Sequence, residues 1–329
     1  MRKLKWGILS TAKIGLDSVI PALQSTENGE VVAIASRTPS KAEAAARDLG
    51  IATAHGSYEA LLDDPQVEAI YNPLPNHLHV PWSIRALEAG KHVLCEKPIA
   101  MNAAEAAQLI EAARRFPDLK VMEAFMYRFH PQWEIIRGLV GEGSIGALTT
   151  VYSIFTYYNV DPKDYRNVPQ YGGGGLLDIG CYSISTSRWL FGVEPKRIFG
   201  VVEYDPTFGI DRLASAILDF GIGTATFTCA TQVPRYQREE VYGTLGRIVI
   251  DDPFNPPLDA PARGWLYTVN KTRELVSAAA DHYARMGEAF ARAVLTGTQV
   301  PTPLEDALAN MRAIDAVFES GRTGQWVAI

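Results

Sequence analysis

Three side chains frame the chemistry open to this chain of 329 residues: Lys97, Asp178 and Tyr182. Asp178 and Tyr182 stand four apart in Leu176-Leu177-Asp178-Ile179-Gly180-Cys181-Tyr182, a stretch that reads as helix, so carboxylate and phenol share one helix face. A free phenol ionises near pH ~10 and needs a nearby cation to act as a base close to neutrality. Lys97 follows an apolar run at 92–96 and is fixed by Pro98, which makes it the candidate cation. Such a set can exchange a proton with a hydroxyl and hold the oxygen as it gains negative charge. The same residues also have plainer uses. Buried lysines pair with carboxylates as often as they catalyse, and a Tyr–Asp pair can simply seat a helix against a sheet.

A nucleotide signal accompanies them. The apolar run 4–10 turns into Ser10-Thr11-Ala12-Lys13-Ile14-Gly15 and then a helical pattern, where a G-x-G-x-x-G turn would lie, with Ser10 and Ala12 in place of two glycines. Small residues still let the backbone approach a pyrophosphate, and N–H groups at a helix start still bind the anion. Taken alone, the hexapeptide fits an ordinary β–α turn equally well. The end of the second apolar run discriminates more. An NAD site carries Asp or Glu there for the ribose 2′-hydroxyl, whereas this chain has Ser36-Arg37-Thr38, with Lys41 one helical turn further on. A hydroxyl, a guanidinium and an ammonium donate to a 2′-phosphate, so NADP is the expected nucleotide; solvated charges at a helix start are the alternative for Arg37 and Lys41.

The elements that must position these groups follow from periodicity. Short apolar runs at 4–10, 31–36, 69–72, 92–96 and 120–123 alternate with helical patterns at 14–23, 41–49, 80–89 and 103–115. This is the pattern of strand–helix–strand units in a doubly wound parallel sheet buried on both faces. Beyond about residue 145 the rhythm changes to longer segments at 149–157, 197–202, 213–220, 224–230 and 247–250, many alternating in polarity. They predict an α+β domain with a large, mainly antiparallel open sheet, one face of which is free to meet a partner. Helical patterns at 282–296 and 304–320 close the chain, and residues 251–263, with four prolines, read as a surface loop. The expected domains are 1–124, a Rossmann nucleotide-binding domain, and 125–329, a substrate-binding and dimerisation domain whose last helices are free to pack back on the first.

Composition narrows the classes. The chain is 47% hydrophobic and 21% charged, with 31 Lys+Arg against 37 Asp+Glu and a formal charge of −6, which argues against disorder and against a nucleic-acid partner. No uninterrupted apolar run is long enough to span a membrane. Cys95, Cys181 and Cys229 are odd in number and lack CxxC spacing, so neither a disulfide framework nor a zinc site is expected. A reducing compartment and the absence of a signal-peptide pattern at the start lead us to expect a cytoplasmic protein. Six dispersed histidines offer no metal-ligand set, and we expect no metal.

Three segments carry a family resemblance. Asn72-Pro73-Leu74-Pro75-Asn76-His77-Leu78-His79, then Ala89-Gly90-Lys91-His92-Val93-Leu94-Cys95-Glu96-Lys97-Pro98, then Gly173-Gly174-Gly175-Leu176-Leu177-Asp178-Ile179-Gly180-Cys181-Tyr182 resemble the glucose–fructose oxidoreductase/inositol dehydrogenase (Gfo/Idh/MocA) family across essentially the whole chain. Within it, the Ser10–Thr11–Ala12 turn, Ser36-Arg37, and tyrosine rather than histidine at 182 resemble the branch of NADP-dependent D-xylose 1-dehydrogenases and dimeric dihydrodiol dehydrogenases.

The resemblance implies an NADP-dependent oxidoreductase in which hydride leaves C1 of an aldose and an aldonolactone forms. Tyr182 would exchange the proton, Lys97 would polarise the same oxygen, and Asp178 would orient the substrate or the lysine. It further implies that Leu74, Pro75, Asn76 and His79 face the nicotinamide side, with Glu96 beside the nicotinamide ribose. Tyr165-Arg166 aligns with a Trp-Arg pair that contacts the nucleotide in relatives, and Tyr157 would join Asp178 and Tyr182 in the sugar pocket with the Asn159/Asp161 loop. Glu123, Tyr127, Arg128, Phe129 and His130 would line or support the domain junction. A trans-dihydrodiol is the nearest competing substrate, and a glucose–fructose oxidoreductase-like sugar redox enzyme is a third reading, though we expect no leader or arm of the kind that exported protein carries. A non-catalytic NADP-binding regulator is the alternative from outside enzymology. Relatives suggest a homodimer, or a tetramer built from two, through the open sheet.

Overall fold

The computed structural model describes residues 2–329. They divide into two compact units, one made of the chain up to Met126 plus Asp281–Leu308, the other of Tyr127–Ala280 plus Ala309–Ile329.

The first unit is built on six parallel strands, β1 (Leu4–Leu9), β2 (Gly29–Ala35), β3 (Thr53–His55), β4 (Ala69–Asn72), β5 (His92–Cys95) and β6 (Val121–Glu123), in the order β3-β2-β1-β4-β5-β6. The central strands are buried almost without interruption, because helices cover both faces of such a sheet. The helices between them are α1 (Ile20–Gln24), α2 (Pro39–Leu49), α3 (Tyr58–Leu62), α4 (His79–Glu88) and α5 (Ala103–Arg114). Local chemistry sets their ends. Pro39 opens α2 and left-handed Gly50 closes it, while Asn102 accepts the Glu105 N–H at 2.9 Å to start α5. The stretch at 14–23 is not one regular helix, for a π-helical turn at Gly15–Val19 precedes α1. Strand β3 carries no alternation long enough to be read from sequence, at three residues.

The second unit contains α6 (Pro131–Gly141), α7 (Cys181–Phe191) and nine strands: β7 (Leu148–Tyr158), β8 (Arg197–Tyr204), β9 (Asp211–Asp219), β10 (Thr224–Ala230), β11 (Gln232–Gly243), β12 (Gly246–Ile250), β13 (Ala262–Thr268), β14 (Lys271–Ser277) and β15 (Val327–Ala328). Their order is β14-β13-β12-β11-β7-β10-β9-β8-β15, antiparallel except for the β7–β10 pair. The sheet is therefore the large, mainly antiparallel one expected. Its longest strand, β11, escaped the sequence reading because its buried positions include Gln237 and Glu239, which invert the usual apolar-in alternation. The proline-rich loop is also shorter than expected, since β13 begins at Ala262 and pairs with β14 in a hairpin.

Two helices follow the sheet strands of the hairpin, α8 (His282–Thr296) and α9 (Leu304–Thr323). Helix α8 belongs to the first unit. Trp6 and Phe290 rings lie 5.3 Å apart, the Asn28 N–H donates to Glu288 at 3.1 Å, and a Cβ at Gly287 would fall 2.3 Å from a terminal methyl of Leu23, so a larger residue there would make Leu23 give way.

Candidate active site

In the first unit, residues of interest gather at the carboxyl ends of β1, β2, β4 and β5, around the place where the strand order reverses between β1 and β4. Ligands of open α/β sheets bind there. Ser10 follows β1 with a φ of 82°, a left-handed conformation uncommon for a residue with a Cβ, and its Oγ accepts the Ala12 N–H at 3.2 Å. Thr11, Ala12 and Ile14 are half-buried and Lys13 is exposed; the π turn that follows has no side-chain cap, which leaves helix-start N–H groups to serve an anion. After β2, Ser36 is buried with its Oγ accepting the Thr38 N–H at 3.2 Å, while Arg37, Thr38 and Lys41 are exposed. Hydroxyl, guanidinium, ammonium and an uncapped helix start form a donor set that fits a 2′-phosphorylated dinucleotide.

The loop after β4 is held from within. Asn72 is fully buried; its Nδ2 donates to the His79 carbonyl at 3.1 Å and its Oδ1 accepts the Leu74 N–H at 3.3 Å. Leu74 and Asn76 are buried and Pro75 is half-buried. His79 is buried too, with Nδ1 2.7 Å from the Pro98 carbonyl and Nε2 2.6 Å from the Leu74 carbonyl. Two carbonyl acceptors favour a charged ring, but burial is the larger effect and, with Lys97 adding to it, pushes the imidazole down to about 4. The ring thus bridges a carbonyl of the loop after β4 and one of the loop after β5.

That second loop carries the lysine. Glu96 accepts the Tyr71 hydroxyl at 2.7 Å on one carboxylate oxygen and the Lys97 N–H at 3.3 Å on the other. Tyr71 is fully buried, and burial together with Glu96 holds its phenol well above the usual range, so it remains a donor. Lys97 is half-buried and joined to Pro98 by a cis peptide; the next residue, Ile99, donates its N–H to buried Glu123 at 2.7 Å. Tyr71 was not singled out from sequence, because inside the run Ala69–Asn72 it reads as one more strand residue.

The other candidates lie in the second unit. A π-helical turn, Leu176–Gly180, continues directly into α7, so Asp178 and Tyr182 lie on one helical stretch that starts with a wider turn than the regular helix expected. Asp178 is buried and its Oδ2 accepts the Tyr157 hydroxyl at 2.7 Å and the Arg166 Nε–H at 3.1 Å. Burial first, and then Asp178, raise the Tyr157 phenol, while Asp178 raises Arg166 further above its ordinary value. Arg166 also reaches Asp164 at 3.4 Å and lies 4.6 Å from the Tyr165 ring centre. Tyr157, Tyr165, Arg166 and Asp178 thus form one cluster, and the guanidinium expected on the nucleotide has a carboxylate partner within its own unit.

Tyr182 is only 4% exposed and packs among the rings of Phe254, Phe155 and Tyr127, at 5.2, 5.7 and 5.8 Å. Helix α7 is buried nearly all round, and its polar side chains pair inside the unit: Ser183 with Ser153 at 2.8 Å, Ser185 with Tyr127 at 2.8 Å, and Arg188 with both oxygens of Glu194 at 2.6 and 2.8 Å. Arg128 donates to Ser185 at 2.6 Å, and His130 caps α6 through the Gln132 N–H, so both serve packing of this unit.

Comparison with known families matches residues 4–124 to the description "Oxidoreductase family, NAD-binding Rossmann fold" and residues 133–249 to "GFO/IDH/MocA C-terminal domain". The chain belongs to the Gfo/Idh/MocA family. Among similar members of that family is an uncharacterised oxidoreductase of Rhizobium meliloti, 43% identical, with all of both chains covered. A D-xylose 1-dehydrogenase (NADP(+)) of Haloferax volcanii is 40% identical over 99% of this chain and 100% of its own. The 3-ketoreductase KijD10 of Actinomadura kijaniata, solved with NADP and TDP-benzene, superposes with a TM-score of 0.92 at 32% identity, covering 97% and 98% of the two chains. Among the described residues no helix is long and apolar enough to cross a membrane, and no group of three or more His, Cys, Asp or Glu could hold a metal ion.

Proposed function

We propose that this Gfo/Idh/MocA oxidoreductase is an NADP-dependent sugar dehydrogenase that oxidises C1 of an aldose to the aldonolactone. The observation that carries the reading is a buried phenol, Tyr182, one helical turn from a carboxylate, Asp178, that Tyr157 and Arg166 hold in place. The whole-length likeness to an NADP-dependent xylose dehydrogenase supports it.

NADP⁺, when bound, accepts the hydride. The protein's own residues do the rest. The turn Ser10, Thr11, Ala12, Lys13 and Ile14 lets the pyrophosphate approach, with Thr11, Lys13 and Ile14 offering backbone donors, and Ser36, Arg37, Thr38 and Lys41 take the 2′-phosphate. Leu74, Pro75, Asn76 and Glu96 shape the nicotinamide side, and His79 acts there by holding the loop rather than by contact. Lys97 donates to the C1 oxygen as charge develops on it, and Tyr182 takes the hydroxyl proton. Asp178, with Tyr157 and the Tyr165-Arg166 pair beside it, orients the sugar hydroxyls.

The likeness to a 3-ketoreductase supports a second reading, reduction of a keto sugar, which would use the same groups in reverse. We further place the enzyme in the cytoplasm, consistent with three buried cysteines that form no disulfide, and assemble it as a homodimer through the second sheet. The outward face of that sheet forms a concavity of about 900 Å³ lined by Tyr152, Phe199, Val201 and Ile217 among others, and Tyr152 and Val201 are 51% and 58% exposed.

Steady-state turnover on D-xylose, D-glucose and a trans-dihydrodiol, each with NADP⁺ and NAD⁺, tests the reading. Tyr182→Phe should lower kcat on the best substrate by about 10²–10⁴-fold. Near-normal turnover in that variant refutes the role given to Tyr182, and nucleotide binding without turnover of any sugar or diol would favour a regulator.

A further inference from the structure

We propose that Asp211 is a positioning residue for this oxidoreductase: from strand β9 its carboxylate clamps the start of the helix that carries Asp178 and Tyr182. The inference rests on the dehydrogenase reading for its catalytic consequence, but the clamp itself is a matter of geometry within one unit.

The helix begins without a cap of its own. The residue at its N-terminal boundary is Gly175, which has no side chain to offer, so the first N–H groups need an acceptor from elsewhere. Asp211 supplies it. The Leu176 N–H donates to Asp211 Oδ2 at 2.5 Å, and the neighbouring Gly175 N–H favours the charged form of the carboxylate. An anion at a helix start is favoured by the exposed N–H dipoles as well as by the hydrogen bonds.

The glycine turn before the helix is shaped around the same carboxylate. Gly174 has a φ of 117°, and a Cβ there would fall 1.8 Å from Asp211 Oδ1, so carboxylate and side chain cannot share the space. On its other side the turn is bound to the Asp178 cluster. The Gly174 N–H donates to the Arg166 carbonyl at 2.9 Å, the Asp178 N–H donates to the Gly174 carbonyl at 3.2 Å, and the Arg166 side chain holds Asp178 Oδ2. Asp211 therefore fixes the turn from which both Asp178 and the helix to Tyr182 are hung.

A buried charge is costly, and this one is 2% exposed. Burial, with Asp178 adding to it, pushes the Asp211 carboxyl up to about 7; Cys229 and Tyr204 on neighbouring strands are the other titratable groups that feel it. The short hydrogen bond from Leu176 and the fit of the glycine turn around the carboxyl point to the helix start as its purpose.

Asp211→Asn keeps the shape and one acceptor and removes the charge. Displacements well under the size of an atom at a reacting group can cost one to two orders of magnitude, so kcat should fall about 10- to 100-fold. The KM for NADP⁺, whose proposed 2′-phosphate and pyrophosphate donors lie in the first unit, should stay within about two-fold. Hydrogen exchange of the amides of residues 175–178 should quicken. Gly174→Ala, which displaces the carboxylate from the opposite side, should reproduce all three effects. A folded Asp211→Asn enzyme with normal kcat, or with unaltered exchange at 175–178, overturns the proposal. Absence of turnover in the unsubstituted protein would instead defeat the dehydrogenase reading and with it the catalytic consequence, while the exchange measurement would still decide whether the clamp exists.

Discussion

Replacing Glu239 with glutamine should leave stability nearly unchanged at pH 5 and raise it at pH 8.5. Glu239 lies on β11 under α7, fully buried, with Oε2 accepting the Thr186 hydroxyl at 3.1 Å and the Ser153 hydroxyl at 3.4 Å. Among the described residues Oε1 has no hydrogen-bond partner. Burial outweighs the two hydroxyls and pushes the carboxyl up to about 8 from its ordinary 4.5. Between those values the folded protein keeps a proton that the unfolded chain releases. Stability therefore falls as pH rises through this window and levels off above the folded value. At about 1.4 kcal/mol for each pH unit, the whole window corresponds to up to about 5 kcal/mol. A glutamine has no proton to lose, and its amide can present oxygen to the two hydroxyls, so the variant escapes that decline. For a unit of this size about 1 kcal/mol moves Tm by roughly 2–4 °C, so the variant's advantage should grow by on the order of 10 °C between pH 5 and pH 8.5. Thermal unfolding of both proteins across that range, followed by circular dichroism, is the assay. A difference that does not change with pH would show that Glu239 ionises in the ordinary range and would refute this account.

Two further outcomes follow from the same geometry. Arg37→Asp should raise the KM for NADP⁺ by at least about 10-fold while changing that for NAD⁺ little, since a charged hydrogen bond contributes roughly 1.5–3 kcal/mol; equal changes would mean that this exposed guanidinium does not meet the 2′-phosphate. Ile217→Asp, on the outward sheet face with Tyr152 and Val201, should convert a homodimer to monomers in sedimentation experiments, and a wild-type protein that sediments as a monomer would remove the proposed interface.

Much of the frame was legible before any coordinates. The apolar runs of the first unit are strands to within about two residues, because a parallel sheet covered on both faces demands nearly unbroken apolar segments. Helix 282–296 was read with both ends in place, since Asp281 caps its start through the Tyr283 and Ala284 N–H groups and left-handed Gly297 ends it. Segments whose inward residues are polar were not legible. β11 buries Gln237 and Glu239, and α7 buries Ser183, Ser185, Thr186 and Arg188, which alone would suggest surface.

The types of group present, amine, carboxylate, phenol and phosphate donors, were determined by sequence alone, because chemistry belongs to the residue and its neighbours in the chain. What each group is paired with was decided only by the tertiary structure. No local pattern announces that His79 spans two carbonyls, that Tyr71 holds Glu96, that Arg166 turns to Asp178, or that Asp211 reaches back 35 residues to the helix start. Hydrogen bonds and burial act over a few ångströms in space regardless of separation along the chain, so partners this far apart in sequence meet only once the sheets have formed.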